Sequence, residues 1–122
     1  MTEPYQLSAP ESYRIASVQE HNRVCNGCGT KGLGGWLVPD TLFGLDISEA
    51  CDIHDWRYAE GASWGEKDVA DREFLSNMLT IIRAETGLIA ALLRPFRLHR
   101  ANAYFNAVRV FGRAAYAKGK NL

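Results

Sequence analysis

A single carboxylate on an apolar helix face constrains this chain most. From Ser63 to about Gly87 the sequence reads as one long helix, opened by the capping box Ser63-x-x-Glu66. Along it Trp64, Asp71, Phe74, Leu75, Met78 and Ile82 recur at helical spacing, and every member but Asp71 is apolar. A carboxylate packed into a core without a donor costs several kcal/mol. Whatever covers this face must therefore bring a donor to Asp71. The bland alternative is that Asp71 sits at the rim of the face and pairs there with Arg72 or Lys67.

A preceding helix carries suitable donors. Asp46-x-x-Glu49 is a second capping box, opening a helix that runs to about Glu60 and stops at Gly61. It contains Cys51-Asp52-Ile53-His54-Asp55-Trp56-Arg57-Tyr58, or C-x-x-H-D-x-x-Y. At about 100° per residue, Tyr58 lies about 40° and Cys51 about 60° round from His54, with Asp55 at about 100°. His54 and Tyr58 thus face inward while Asp55 points along the edge. His54 Nδ1–H and the Tyr58 hydroxyl are the donors expected to meet Asp71. A histidine and an aspartate facing each other across packed helices form a general base and its orienting carboxylate. Asp55 is left over to hold a metal.

The rest of the chain is read as helix and loop. Ser8-x-x-Glu11 looks like a capping box for a first helix over about 9–22. Residues 23–45 hold seven helix breakers, Gly27, Gly29, Gly32, Gly34, Gly35, Pro39 and Gly44, and are expected to be irregular. A short helix over 87–94 is expected to be interrupted by Pro95. A last helix over 96–117 follows, with Tyr104, Ala107, Val108, Phe111 and Ala115 on its apolar stripe. The expectation is one all-α domain over 1–122, built around a long ordered loop. The longest apolar run, Leu88 to Leu93, falls far short of the roughly 18–20 residues of a membrane span. Met1-Thr2-Glu3-Pro4 shows no basic-then-apolar leader, so no signal peptide is expected; export would use another route or the chain would be a mature form.

Net charge is zero, yet unevenly spread. Residues 1–86 hold all 14 acidic residues against 7 basic ones. Residues 87–122 hold Arg94, Arg97, Arg100, Arg109, Arg113, Lys118 and Lys120 and no acid. Such a split fits attraction to an anionic surface, or mutual neutralisation of the two halves within the fold.

Cys51-x-x-His54-Asp55-x-x-Tyr58 resembles the active-site helix of the secreted phospholipase A2 superfamily. Asp71-Arg72 looks like the start of that family's catalytic aspartate segment, and Cys25-Asn26-Gly27-Cys28-Gly29 like its calcium loop. The resemblance covers about residues 25–78 and implies a phospholipase A2-like fold: two long antiparallel helices carrying the site, a Gly-rich metal loop, and N- and C-terminal helices. It further implies that His54 is the base that deprotonates water, that Asp71 orients it, and that Tyr58 hydrogen-bonds Asp71. Asp55 and the backbone carbonyls of Cys25, Gly27 and Gly29 would bind Ca²⁺, which suits a hard, oxygen-seeking cation. The implied activity is hydrolysis of the sn-2 ester of glycerophospholipids at a membrane surface, with the basic segment favouring an anionic one. The segment Gly32-Leu33-Gly34-Gly35 is an alternative calcium loop. Family members often bridge the loop to the helix, so Cys51 would pair with Cys28 or Cys25; three cysteines allow one bridge at most.

Two rival readings exist. Cys25-x-x-Cys28 followed by Cys51-x-x-His54 is a Cys₃His zinc set, for a nucleic-acid or partner-binding module without catalysis. Gly61-x-Ser63-x-Gly65 matches a nucleophile elbow, but a helix precedes it and there is no room for the sheet an elbow needs. Ser63 is better read as a helix cap. His21 and His99 read as surface residues, Trp56 and Trp64 as core, and Trp36 as core or a lipid contact.

Overall fold

The computed structural model describes residues 6–25 and 39–122. Among these residues there are six helices and one short hairpin, so the chain is all-α. Gly27, Gly29, Cys28, the 32–35 glycine segment and Trp36 lie outside the described residues.

The first expected helix is two helices, α1 (Glu11–Ile15) and α2 (Val18–Val24). The break follows from Ser17-x-x-Glu20. Ser17 Oγ accepts from Glu20 N at 3.1 Å while the Glu20 carboxylate accepts from Ser17 N at 3.2 Å, a capping box that restarts the helix mid-segment. The Ser8 box does not form, and Pro10 is the N-cap of α1. Ser8 instead donates from N to Asn77 Oδ1 at 2.8 Å and from Oγ to Glu73 Oε2 at 2.7 Å, pinning the N-terminal segment to the long helix.

Within the stretch expected to be irregular, β1 (Thr41–Leu42) and β2 (Leu45–Asp46) pair antiparallel, Leu42 opposite Leu45. Phe43 (φ 47°) and Gly44 (φ 82°) occupy the two turn positions. A two-residue hairpin needs left-handed backbone at such positions to match strand twist, which suits Gly44 and costs Phe43 about 1–2 kcal/mol.

Helix α3 (Ser48–Glu60) follows. The expected box of Asp46 with Glu49 does not form: the N-cap is Ile47, with no side-chain cap, and Asp46 Oδ1 accepts from Ser48 N at 2.8 Å just ahead of the helix. Gly61 ends the helix, its N–H donating to Arg57 O at 2.9 Å. Helix α4 (Trp64–Ala84) opens as expected: Ser63 Oγ accepts from Glu66 N at 3.1 Å. The side-chain pairs His54–Phe74, Arg57–Glu73 and Tyr58–Lys67 descend along α4 as they ascend α3, so the two helices are antiparallel.

Pro95 does not interrupt the next helix. Helix α5 (Leu88–Phe111) runs through it, and the short α6 (Arg113–Ala117) follows after Gly112. Pro95 and Ala91 are both exposed, so the carbonyl that lacks its usual N–H partner faces water. Lys67, near the start of α4, reaches Val108 O near the end of α5, which makes this pair antiparallel as well.

Helix α3 lies inside the fold. Trp56 turns toward the N-terminal helices, donating to Ser12 Oγ at 3.0 Å within an aromatic cluster of Tyr13, His21 and Trp56. His21 is thus part of a packed cluster, its ring 4.3 Å from that of Tyr13. On the other side, Cys51, His54 and Tyr58 face α4 and the core of Ile47, Phe74, Met78, Ile82, Ala101 and Tyr104. Trp64, expected in that core, is 39% exposed, under the Arg113 guanidinium at 4.5 Å. Phe111, also expected in the core, is 63% exposed. No helix among the described residues is long and apolar enough to cross a membrane.

Candidate active site

Asp71 lies in the interior, 1% exposed, and His54 is equally buried. One Asp71 oxygen, Oδ1, is bonded by His54 Nε2 at 2.8 Å and by the Tyr58 hydroxyl at 2.8 Å. The other, Oδ2, accepts from Lys67 Nζ at 2.7 Å. The expected convergence of His54, Tyr58 and Asp71 is therefore present. The donor is Nε2, however, not the Nδ1–H expected from the sequence. The rim placement of Asp71 is not found, and Arg72 turns outward to Asp68 at 2.8 Å.

The protonation pattern follows from these partners. Burial by itself would raise the Asp71 carboxyl, but the hydrogen bonds from His54, Lys67 and Tyr58 and the charge of His54 outweigh it and leave the pKa lowered. An ionised carboxylate only accepts, so Nε2 carries the proton. Burial lowers the His54 pKa below its ordinary 6.5, against the pull of Asp71. Neutral His54 then has a bare lone pair on Nδ1. That atom is buried and has no hydrogen-bond partner among the described residues. A fixed tautomer with an unused lone pair is what a general base requires. Burial likewise raises the Tyr58 pKa, so its hydroxyl stays a donor.

Lys67 is the member that sequence reasoning placed only at the rim. Its stem is buried, and Nζ also donates to Val108 O at 3.2 Å and Arg109 O at 3.3 Å. It joins Asp71 to the last turn of α5, where the negative end of the helix dipole attracts a cation. Its i, i+4 spacing to Asp71 was the available signal. Two more buried polar residues of α4 have no such signal. Glu73 is held by Arg57 at 2.9 and 3.0 Å, and Asn77 donates to Ser8 O at 2.9 Å. Gly112 completes the enclosure: a Cβ there would come within 2.7 Å of the Tyr58 hydroxyl and would overlap the Val108 carbonyl. Lys120 donates to Tyr58 O.

Of the calcium ligands expected from the sequence, Asp55 and Cys25 are among the described residues. Asp55 is 7% exposed and follows His54 directly on α3. A carboxylate and backbone carbonyls are the hard-oxygen donors that calcium takes. The carbonyls of Gly27 and Gly29 lie outside the described residues. Cys25 is a free thiol whose Sγ donates to Asp52 O at 3.3 Å, so it is not bridged to Cys51. Burial, then Asp52 and Asp55, push that thiol up to about 12. Among the described residues no trio of His, Cys, Asp or Glu side chains is arranged around a metal position. Cys25, Cys51 and His54, three of the four zinc ligands considered, therefore do not converge. Ser63 is the α4 cap, as read.

A cleft of about 600 Å³ lies elsewhere, lined by Tyr13, Asp46, Glu49, Asp52, Ile81 and Glu85 among others, and it does not contain His54 or Asp71. Comparison of the chain with protein-family models, with curated proteins and with solved structures returns no match.

Proposed function

We propose that the protein is a calcium-dependent lipid esterase that hydrolyses the sn-2 ester of glycerophospholipids. The observation that carries this reading is the buried His54–Asp71 pair, with Nε2 bonded and Nδ1 without a hydrogen-bond partner among the described residues. A binding module has no need of a base in this state. In the reaction, His54 Nδ1 takes a proton from water, and the resulting hydroxide adds to the ester carbonyl. Asp71 holds the ring and stabilises its charged form, while Tyr58 and Lys67 hold Asp71. Collapse expels the lysophospholipid alkoxide, which takes the proton back from His54 as the fatty acid leaves. Asp55 and the backbone carbonyls of Cys25, Gly27 and Gly29 would hold Ca²⁺, which when bound supplies Lewis-acid polarisation of the carbonyl.

The test is fatty-acid release from mixed phospholipid vesicles with Ca²⁺ and with chelator. Release that needs Ca²⁺ and falls by on the order of 10²-fold or more in His54→Asn is expected. Stoichiometric zinc in the purified protein, with no release, would overturn the reading in favour of a zinc-held binding module.

A further inference from the structure

A small cavity of about 140 Å³ lies beside Asp71, lined by Trp64, Lys67, Asp68, Asp71, Arg109 and Arg113. His54 and Tyr58 are not among its walls, so it meets Asp71 on the side that Lys67 holds. Lys67 is 5% exposed, while Trp64, Arg109 and Arg113 stand exposed at the rim. The fold sets the two arginines together. Gly112 keeps right-handed helical backbone (φ −82°, ψ −3°) between α5 and α6, so Arg109 and Arg113 are one helical turn apart. The first turn of α4 supplies Trp64 and Lys67, and the positive end of this 21-residue helix adds to the local potential. The negative end of α5 is close by, but its Val108 and Arg109 carbonyls accept from Lys67.

The cavity carries more positive charge than its own carboxylates neutralise. Asp71 is matched by Lys67 at 2.7 Å, and Asp68 by Arg72 at 2.8 Å. Arg109 and Arg113 take part in none of the ion pairs among the described residues. Their guanidiniums rest on rings instead, Arg113 over Trp64 at 4.5 Å and Arg109 over Phe105 at 5.4 Å. Stacking uses the flat face of a guanidinium and leaves the N–H donors in its plane available. Two such planes, already held by rings, suit the several oxygens of a tetrahedral oxyanion. Size narrows the ligand further. At roughly 30 Å³ per water, the cavity has room for a phosphate and a few waters. It is well below the roughly 300 Å³ at which sites for larger organic ligands begin.

We propose that Arg109 and Arg113, over the buried Lys67, form a binding site for a small phosphoryl dianion, either inorganic phosphate or the end of a soluble phosphomonoester. The proposal goes beyond the esterase reading and does not rest on it, so its test measures binding alone. Isothermal titration calorimetry at pH 8, with ionic strength held constant by chloride, is expected to show saturable binding of one equivalent of inorganic phosphate. Arg109→Gln and Arg113→Gln should each weaken it about tenfold, since each removes a charged pair of donors. The double variant should not bind. The lysine pair Arg109→Lys, Arg113→Lys keeps the charge without the planar fork and should bind several-fold more weakly than wild type. Phosphate should raise the melting temperature of the wild type and leave that of the double glutamine variant unchanged. Lys118→Gln, on an exposed residue outside the cavity, should bind as the wild type does. Methyl phosphate separates the two sources: binding as tight as that of inorganic phosphate assigns a phosphomonoester end, and binding of inorganic phosphate alone assigns the free ion. Three results overturn the site. One is a wild-type titration with no saturable phase above the chloride background. Another is wild-type affinity in the double glutamine variant. The third is a loss in Lys118→Gln equal to that in Arg113→Gln, which would mean diffuse attraction to a cationic segment.

Discussion

At the scale of single residues, Asp71 decides most of the site, because three donors converge on its two oxygens. His54 titrates accordingly. Burial disfavours the imidazolium more than Asp71 favours it, so the imidazole is neutral down to a pH below 6.5. The rising limb of kcat/KM against pH should therefore have its midpoint below 6.5; a midpoint at 7 or above would contradict the assigned environment. Lys67 gives a second prediction. Lys67→Met removes the cation from Asp71 Oδ2 and leaves a buried carboxylate with two neutral donors. Urea unfolding should show a loss of about 3 kcal/mol. Lys67→Arg should recover part of it, since Arg keeps the charge. How much of this was legible varies by atom. The apolar stripe around Asp71 required a donor, and His54 and Tyr58 had the right residue types one helix earlier. Which imidazole nitrogen would turn to Asp71 depends on the separation and rotation of two packed helices, and no spacing encodes that.

At the scale of elements, capping chemistry explains both the correct and the incorrect boundaries. Ser63-Glu66 and Gly61 act locally and bound α3 and α4 where expected. Ser8 has the same pattern, but its hydrogen bonds go to Asn77 and Glu73 across the fold, so Pro10 starts α1. Pro95 is tolerated because it lies on the face of α5 turned to water. Arg97 shows how tertiary context reassigns a residue. From sequence it belongs to a cationic segment facing an anionic surface. It is instead buried, donating from Nε to Leu42 O at 3.1 Å and from Nη2 to Phe43 O at 3.0 Å, which clamps the hairpin to α5. Arg97→Met should lower stability by about 2 kcal/mol in chemical denaturation. An unchanged unfolding midpoint would show that the clamp contributes nothing.

At the scale of the whole molecule, two buried groups make the fold sensitive to acid. The His54 pKa is lowered in the folded chain, so below 6.5 the unfolded chain binds a proton that the folded one resists, and stability falls as pH drops through that window. The Asp71 pKa is also lowered. Its contribution is fully present above the ordinary carboxylate value near 3.8 and is lost as pH falls through the lower folded value. Thermal unfolding followed from pH 8 to 3 should show stability near constant above about 7 and declining from about 6.5 downward. His54→Asn should abolish the upper part of the decline; if it leaves that part in place, another group is responsible.

By itself the amino-acid sequence determined the all-α class, the α3 and α4 segments, and the pairing of His54 and Tyr58 with Asp71. Those follow from periodicity, local caps and the cost of an unpaired buried charge, all of which act within a few turns of helix. Only the tertiary structure decided that Lys67 ties Asp71 to the end of α5, that Arg97 holds a hairpin, and that Phe96 meets Phe43 on an exposed face. Each of these joins residues more than forty positions apart, or depends on which side of a helix its neighbours leave open.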